Sequence, residues 1–192
     1  MKILFFVTLF PMLTFAQKEF DPKRYTQFWV IDNDSSRPKL RIEENNSISN
    51  QSPFPISNIS PLVLYIPDSN RLVFKNRNKF ILCYLINFSS DTLSIDRCDA
   101  TIYPSETQIF VNAKWKTFQI GMGSSCGNSY FSSKIFPKSF YTLEITRPSE
   151  GNIQTKFRAK IKVGNKEYFS NPTIILLSKE EIEKAGNTIN PF

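Results

Sequence analysis

The sequence lacks histidine, and this absence removes many kinds of active site. Its 192 residues include 24 Lys and Arg, 17 Asp and Glu and no His, which gives a formal net charge of +7. Without an imidazole, the chain alone builds no Ser-His-Asp triad, no Cys-His dyad and no His-ligated metal site. We therefore expect a non-catalytic protein without a metal or cofactor. A hydrolase that uses a pair of carboxylates is the remaining enzymatic alternative.

Cysteine is also scarce, with three residues in the whole chain. Three cysteines are too few for a four-cysteine zinc site. Cys83 lies in an apolar run, so we predict that it packs in the core as a small hydrophobic residue. Cys98 and Cys126 lie beside turn-rich segments. Three pairings are open, and we predict a disulfide between these two.

Glycine is rare and aromatic residues are abundant, a composition that favours strands. The chain has 6 Gly against 18 Phe, 7 Tyr and 2 Trp, and aromatic side chains suit half-buried pleated surfaces. Several short strands separated by turns, without a long amphipathic helix, predict an all-β, immunoglobulin-like antiparallel β-sandwich. A short helical turn is predicted near the C-terminus, where Ser178 and Glu181 match a capping box.

The longest uncharged apolar stretch lies at the N-terminus, in the sequence MKILFFVTLFPMLTFA. Lys2 supplies a positive start, residues 3–13 an apolar run, and Ala16 a small residue before a cut ahead of Gln17. This run is too short to span a bilayer, and the pattern is that of a secretory signal peptide. We expect a periplasmic or extracellular protein with no transmembrane segment after the signal is removed.

The rest of the chain divides by composition into two parts. Residues 17–60 are predicted to be an N-terminal extension and polar linker, with strands at 25–31 and 39–42 and then an Asn/Ser-rich loop. Residues 61–192 carry the dense strand signals of the predicted sandwich domain. Within it, residues 107–111 and 115–120 form a predicted hairpin, as do the two segments joined by Gly164-Asn165.

The clearest alternation in the chain lies in residues 155–163, where apolar and cationic side chains take turns. Lys156, Arg158, Lys160 and Lys162 face one way, at steps of about 7 Å along a strand. Such a stripe is ordinary for an exposed sheet face, where it also deters edge pairing. The competing interpretation is a surface for an anionic partner. For an exported basic chain, a glycan or protein at the cell envelope is a more natural partner than nucleic acid.

Aromatic residues outside the apolar runs offer a second contact surface. Trp115, Tyr130 and Phe131 are the candidates, for contact with a glycan or a peptide. Tyr130 and Phe131 follow the loop that begins at Gly121, which lacks the lysine of a P-loop. Core packing is the competing interpretation of these aromatic residues.

Several segments of the chain resemble those of a group of uncharacterised exported bacterial proteins with an immunoglobulin-like sandwich. They are WK at 115–116, SCGNSY at 125–130, Gly151, TKFRAK at 155–160, SN at 170–171 and INP at 189–191. The resemblance covers roughly residues 62–192 and implies a non-enzymatic envelope protein. It supplies no catalytic residues.

The sequence therefore predicts an exported, non-catalytic sandwich that binds a protein or glycan at the cell envelope. An inhibitor or immunity protein against a secreted enzyme is an alternative, and a weaker likeness to sandwich-type bacterial proteinase inhibitors extends to the fold alone.

Overall fold

The protein is an all-β sandwich of two sheets with one short C-terminal helix, as predicted. A computed structural model describes residues 22–31, 46–48, 60–67, 72–75, 78–148 and 151–187. The predicted signal peptide at 1–16 and the predicted strand at 39–42 lie outside the described residues, as does most of the predicted linker.

Short strands dominate the described residues. The strands are β1 (Tyr25–Thr26), β2 (Phe28–Ile31), β3 (Asn46–Ser47), β4 (Leu62–Tyr65), β5 (Leu72–Lys75), β6 (Asn78–Asn87), β7 (Leu93–Cys98), β8 (Thr101–Ile102), β9 (Ser105–Val111), β10 (Lys114–Gly121), β11 (Tyr130–Ile135), β12 (Ser139–Thr146), β13 (Ile153–Val163), β14 (Lys166–Phe169) and β15 (Thr173–Leu177). The helix α1 spans Lys179–Lys184, and 3₁₀ turns span Pro22–Arg24 and Gly127–Ser129.

The strands form two sheets, named here sheet A and sheet B. Sheet A has the order β1-β10-β9-β13-β14, with β15 also paired to β13. Sheet B has the order β11-β7-β8-β2-β12-β6-β4, with β3 on β12 and β5 on β6. The described strand pairs are antiparallel except for β1 with β10. Strand β13 therefore lies inside sheet A, between β9 and the β14–β15 edge.

The core lies between the sheets and is built by alternation along each strand. On β13, Phe157, Ala159 and Ile161 are each at most 1% exposed and face the core. From sheet B, Leu143 and Cys83 face them and are fully buried. The prediction that Cys83 packs in the core is confirmed. Because successive side chains of a strand point to opposite faces, the cations of β13 must lie on the outer face of sheet A.

Strands from the predicted N-terminal extension at residues 17–60 pair within the two sheets. Strand β1 pairs with β10 in sheet A, and β2 lies between β8 and β12 in sheet B. Phe28 is fully buried and Val30 is 1% exposed, both in the core. Strands of the sandwich therefore precede the predicted domain boundary at residue 61, because the alternating apolar residues of β2 fill space between the sheets.

The predicted turns and helix cap are confirmed. Asn112 and Ala113, between β9 and β10, have φ of 53° and 60°, as a two-residue type I′ hairpin turn requires. Gly164, between β13 and β14, has φ of 56°. Ser178 Oγ accepts a hydrogen bond from the Glu181 N–H at 3.2 Å, and Glu181 Oε2 accepts one from the Ser178 N–H at 2.9 Å. These reciprocal bonds form the capping box that starts α1.

Candidate partner-binding site

The four predicted cations lie together on the outer face of sheet A, where strands β10, β9 and β14 add aromatic side chains. Register pairs Trp115 with Phe110, and Lys160 with Phe169. We call this surface the cation–aromatic face. It consists of Phe110, Trp115, Lys156, Arg158, Lys160, Lys162 and Phe169, together with Glu106, whose carboxylate pairs with Lys160.

Arg158 is the centre of the cation–aromatic face. Its guanidinium carbon lies 4.2 Å from the ring centroid of Trp115 and 4.2 Å from that of Phe169. Its Nε donates a hydrogen bond to Gln108 Oε1 at 2.8 Å. Partial burial lowers the pKa of the guanidinium, and the charge of Glu106 acts in the opposite direction. Arg158 is charged at neutral pH, and its contacts hold it between two rings.

Lys160 is an ion-paired cation. Its Nζ lies 2.9 Å from Glu167 Oε1 and 3.3 Å from Glu106 Oε2. The pKa of Lys160 is raised. Partial burial acts to lower this pKa, but the hydrogen bonds and charges of Glu167 and Glu106 outweigh the effect of burial. Two carboxylates therefore balance the charge of Lys160 within the sheet, and this cation is less available to a partner than its neighbours.

Lys156 and Lys162 lie on either side of this central pair and are exposed. Lys156 Nζ lies 5.7 Å from the ring centroid of Phe110, whose ring packs edge-on against Trp115 at 5.3 Å. Within the described part of the chain, neither lysine forms an ion pair with a carboxylate. These two lysines are the charges that a partner would meet.

Large apolar side chains are exposed on and beside the cation–aromatic face. Phe110 is 37% exposed and Phe169 is 40% exposed, while Ile174 and Leu176 on the neighbouring β15 are 48% and 39% exposed. Register places Ile174 beside Lys156. Contiguous exposed apolar groups rimmed by charge are typical of interaction surfaces, whereas scattered single ones are not. The face thus combines aromatic, aliphatic and cationic groups.

A cavity of about 540 Å³ adjoins the face at the β10 side. Its lining includes Glu106, Trp115 and Thr117 from the sheet and Gly186 and Asn187 from the segment after α1. The Gly186 N–H donates to Thr117 O at 2.9 Å, which fixes this segment against β10. A smaller cavity, of about 190 Å³, lies between Glu106, Lys160 and Glu167. Glu106 lines both cavities.

The structure does not bring Tyr130 and Phe131 together with Trp115. Both lie on β11 in sheet B, whereas Trp115 belongs to sheet A. The Tyr130 hydroxyl donates to Ser124 O at 2.9 Å and accepts from Ser124 N at 2.8 Å, so it holds the preceding loop. The Phe131 ring lies 5.3 Å from the guanidinium carbon of Arg97. Tyr130 and Phe131 therefore have local structural contacts.

Arg97 itself is 1% exposed. Burial lowers the pKa of its guanidinium to about 10, and the charge of Tyr141 acts in the opposite direction. Arg97 occupies a core-facing position of β7 beside Phe131. The burial of this arginine was not predicted from the sequence.

The structure does not contain the predicted Cys98–Cys126 disulfide. All three cysteines are free, with Cys83 and Cys98 buried and Cys126 exposed. Burial raises the pKa of the Cys98 thiol, and the charge of Asp99 raises it further. A hydrogen bond with Tyr130 acts in the opposite direction. Cys98 ends a strand opposite Tyr130, and Cys126 lies in the exposed loop before the Gly127–Ser129 turn. Proximity to turns in sequence did not predict this separation.

Three members of the site were missed by sequence reasoning: Glu106, Phe110 and Phe169. The signal was present in β9, where Glu106, Gln108 and Phe110 alternate with residues of the core side. The sequence did not show which strands lie next to each other in the sheet. The pairing of β9 with β13 joins residues about fifty positions apart.

The described residues contain no group of three or more His, Cys, Asp or Glu side chains arranged to hold a metal ion. Within the same ranges, no helix is both long enough and apolar enough to cross a membrane.

Comparison of the chain with family models, with curated proteins and with solved structures finds no match. The resemblance to exported bacterial sandwich proteins therefore stays a prediction. Any assignment of function has to rest on the chemistry of the site.

Proposed function

We propose that this chain is an exported, non-catalytic binding protein that contacts a partner protein at the cell envelope through the cation–aromatic face. One observation carries the proposal: Arg158 lies between the rings of Trp115 and Phe169 in the middle of an exposed sheet face. Tryptophan, aromatic residues and arginine are enriched at the energetic centres of protein interfaces.

Preorganisation supports this use of the face. A long arginine side chain normally loses conformational freedom when a partner binds, at a cost of about 0.5–1.5 kcal/mol. Here the two rings and the hydrogen bond to Gln108 already restrict Arg158. A partner that packs over this centre therefore meets a surface that needs little reordering.

The size and charge of the face favour a protein that carries carboxylates around an apolar patch. Strand spacing and rise give the outer side of β10, β9, β13 and the β14–β15 edge dimensions of about 20 Å by about 30 Å. Lys156 and Lys162 lie on either side of its centre, and Ile174 and Leu176 extend it with aliphatic surface. Exposed aliphatic groups suit a protein better than a polyhydroxylated glycan.

The test is affinity capture from an envelope extract with residues 17–192 as bait. Lys156→Glu with Lys162→Glu reverses the two lysines that pair with no described carboxylate, and leaves Arg158 and Lys160 in place. The matched control is Lys134→Glu with Lys179→Glu, which makes the same change in net charge at exposed lysines outside the face. We expect one protein to be lost from the first variant alone, and its purified complex to weaken with salt.

Equal recovery by the native and both reversed baits would contradict the proposal. If the captured protein is a secreted enzyme and loses activity in the complex, the chain acts as an inhibitor or immunity protein. Turnover of a substrate by the purified chain, lost on substitution of a carboxylate, would replace the proposal with the hydrolase alternative.

Export rests on the sequence of residues 1–16. N-terminal sequencing of protein from envelope fractions is expected to begin at Gln17, and an intact Met1 would contradict export. Peptide mapping of the same material under non-reducing conditions tests the cysteines, and from the structure we expect Cys98 and Cys126 to be unlinked. A peptide that joins these two cysteines would instead support the sequence-based pairing in the exported protein.

A further inference from the structure

The cavity between β10 and the segment after α1 has a chemistry of its own. Its volume of about 540 Å³ falls within the range of small-molecule sites. Trp115 and Ile120 give it apolar walls, and Glu106, Lys116, Thr117 and Asn187 give it polar ones. One aromatic wall beside several convergent polar groups suits a polar ligand that also has an apolar face.

The walls of this cavity are fixed by hydrogen bonds that join the two ends of the described chain. Arg24 donates to Asn187 O at 3.0 Å and also to Lys184 O, which ties the first 3₁₀ turn to the end of α1. Gly186 has φ of 83°, and a Cβ there would lie 3.0 Å from Lys116 Cδ. Glycine therefore permits both the backbone turn and the close approach that form this wall.

Several lining groups have hydrogen-bonding capacity to spare. Among the described residues, the indole N–H of Trp115, the ammonium of Lys116 and the side-chain amide of Asn187 find no hydrogen-bond partner. Glu106 accepts from Thr117 Oγ1 at 3.2 Å and from Lys160 Nζ at 3.3 Å, and a carboxylate accepts further bonds. The cavity thus offers free donors and acceptors beside an aromatic ring.

We infer that this cavity binds a short saccharide. A sugar ring presents apolar C–H faces to an aromatic wall, and its hydroxyl groups donate and accept hydrogen bonds at the edge. An apolar ligand would desolvate Glu106 and Lys116 without replacing their hydrogen bonds. A strongly anionic ligand would lie against the Glu106 carboxylate. The saccharide site shares Trp115 and Glu106 with the cation–aromatic face, but it does not require the partner protein proposed above.

Trp115 provides a direct readout of this site. The chain has 2 Trp, so Trp29→Phe leaves Trp115 as the single tryptophan, which is excited selectively at wavelengths that tyrosine does not absorb. In that background, titration with maltose, cellobiose and N,N′-diacetylchitobiose is expected to give a saturable change of emission for at least one sugar. Thr117→Val and Asn187→Ala each remove polar lining, and each should weaken that binding about three- to tenfold.

The controls separate this inference from the proposed function. Lys156→Glu with Lys162→Glu should abolish protein capture and leave the saccharide titration unchanged, whereas Thr117→Val with Asn187→Ala should do the reverse. Amide NMR shifts at Gly186 and Thr117 locate any bound sugar. The inference is overturned if none of the three sugars gives a saturable change, or if the affinity is unchanged in the Thr117→Val, Asn187→Ala variant.

Discussion

The two sheets carry aromatic residues on their outer faces, but the rings where β6 meets β12 on sheet B are buried, whereas those on sheet A are exposed. On sheet B, Tyr84 and Phe140 pack edge-on at 5.8 Å and are each 5% exposed. They belong to a second apolar cluster, separate from the core, with Leu82, Ile86 and Phe88. On sheet A, Phe110 and Phe169 are 37% and 40% exposed, and cations lie between the rings.

This difference separates aromatic residues that stabilise the fold from aromatic residues that are available for contact. The rings of the sheet B cluster are removed from water. On sheet A, the rings support charged groups that remain partly hydrated. An outward-facing aromatic residue is therefore a contact candidate only where its neighbours leave it accessible.

The largest expected difference is in stability. Phe140→Ala removes a buried ring and should lower the free energy of unfolding by about 3–5 kcal/mol. Phe169→Ala, the matched change on sheet A, should cost about 1 kcal/mol or less, because its ring is 40% exposed and lies against the cations Arg158 and Lys160. Urea unfolding of both variants measures the difference. Equal losses would show that the two faces have the same structural role.

A second prediction concerns alkaline pH and the core-facing side of sheet B. Burial raises the pKa of Cys83 far above the ordinary thiol value of 9.0, and burial also raises the pKa of Tyr141. Above pH 9 the unfolded thiol loses its proton while the folded one keeps it, so stability falls as pH rises. For one such group, the free energy of unfolding falls by at most about 1.4 kcal/mol for each pH unit.

Cys83→Ala should reduce this slope between pH 9 and pH 10, as measured by urea unfolding across that interval. Cys98, whose pKa is also raised by burial, should maintain part of the slope. Ile174→Ala on the outer face of sheet A serves as the control and should leave the slope unchanged, because it removes no titratable group. The same slope in the native chain and in Cys83→Ala would contradict the burial of this thiol.

Part of this architecture follows from sequence because its determinants are local. Alternation over 155–163 predicted β13 and the direction of its cations, and the turn segments Asn112-Ala113-Lys114 and Gly164-Asn165 predicted two hairpins. The capping box at Ser178 and Glu181 predicted α1. Each of these features depends on neighbours in the chain, which sequence displays directly.

The remaining features depend on which strands become neighbours. Trp115 and Phe169 enclose Arg158 only because β10 and β14 lie in the same sheet as β13, and Tyr130 is excluded because β11 lies in the other sheet. Phe28 is likewise buried by residues of strands that lie far along the chain. Sequence therefore identified the cations and Trp115 but missed Glu106, Phe110 and Phe169.

The smallest expected effect is the coupling between rings and cations within the cation–aromatic face. A double-mutant cycle of Arg158→Ala with Phe169→Ala should give about 0.5–1 kcal/mol, because the guanidinium lies 4.2 Å from the ring centroid. The cycle of Lys156→Ala with Phe110→Ala should give less, since that distance is 5.7 Å. Urea unfolding measures both, and a larger coupling in the lysine cycle would contradict this description of the face.

The central claim is that the outer face of sheet A is the surface that contacts a partner protein. The chain offers a matched pair for testing it: Phe169 on the face is 40% exposed, and Phe136 outside it is 42% exposed. Each is replaced in turn by the photoreactive residue p-benzoylphenylalanine, and intact cells that produce the protein are irradiated. We predict a discrete crosslinked adduct from position 169 and none from position 136. An adduct from position 136 alone, or equal adducts from both positions, would contradict the claim.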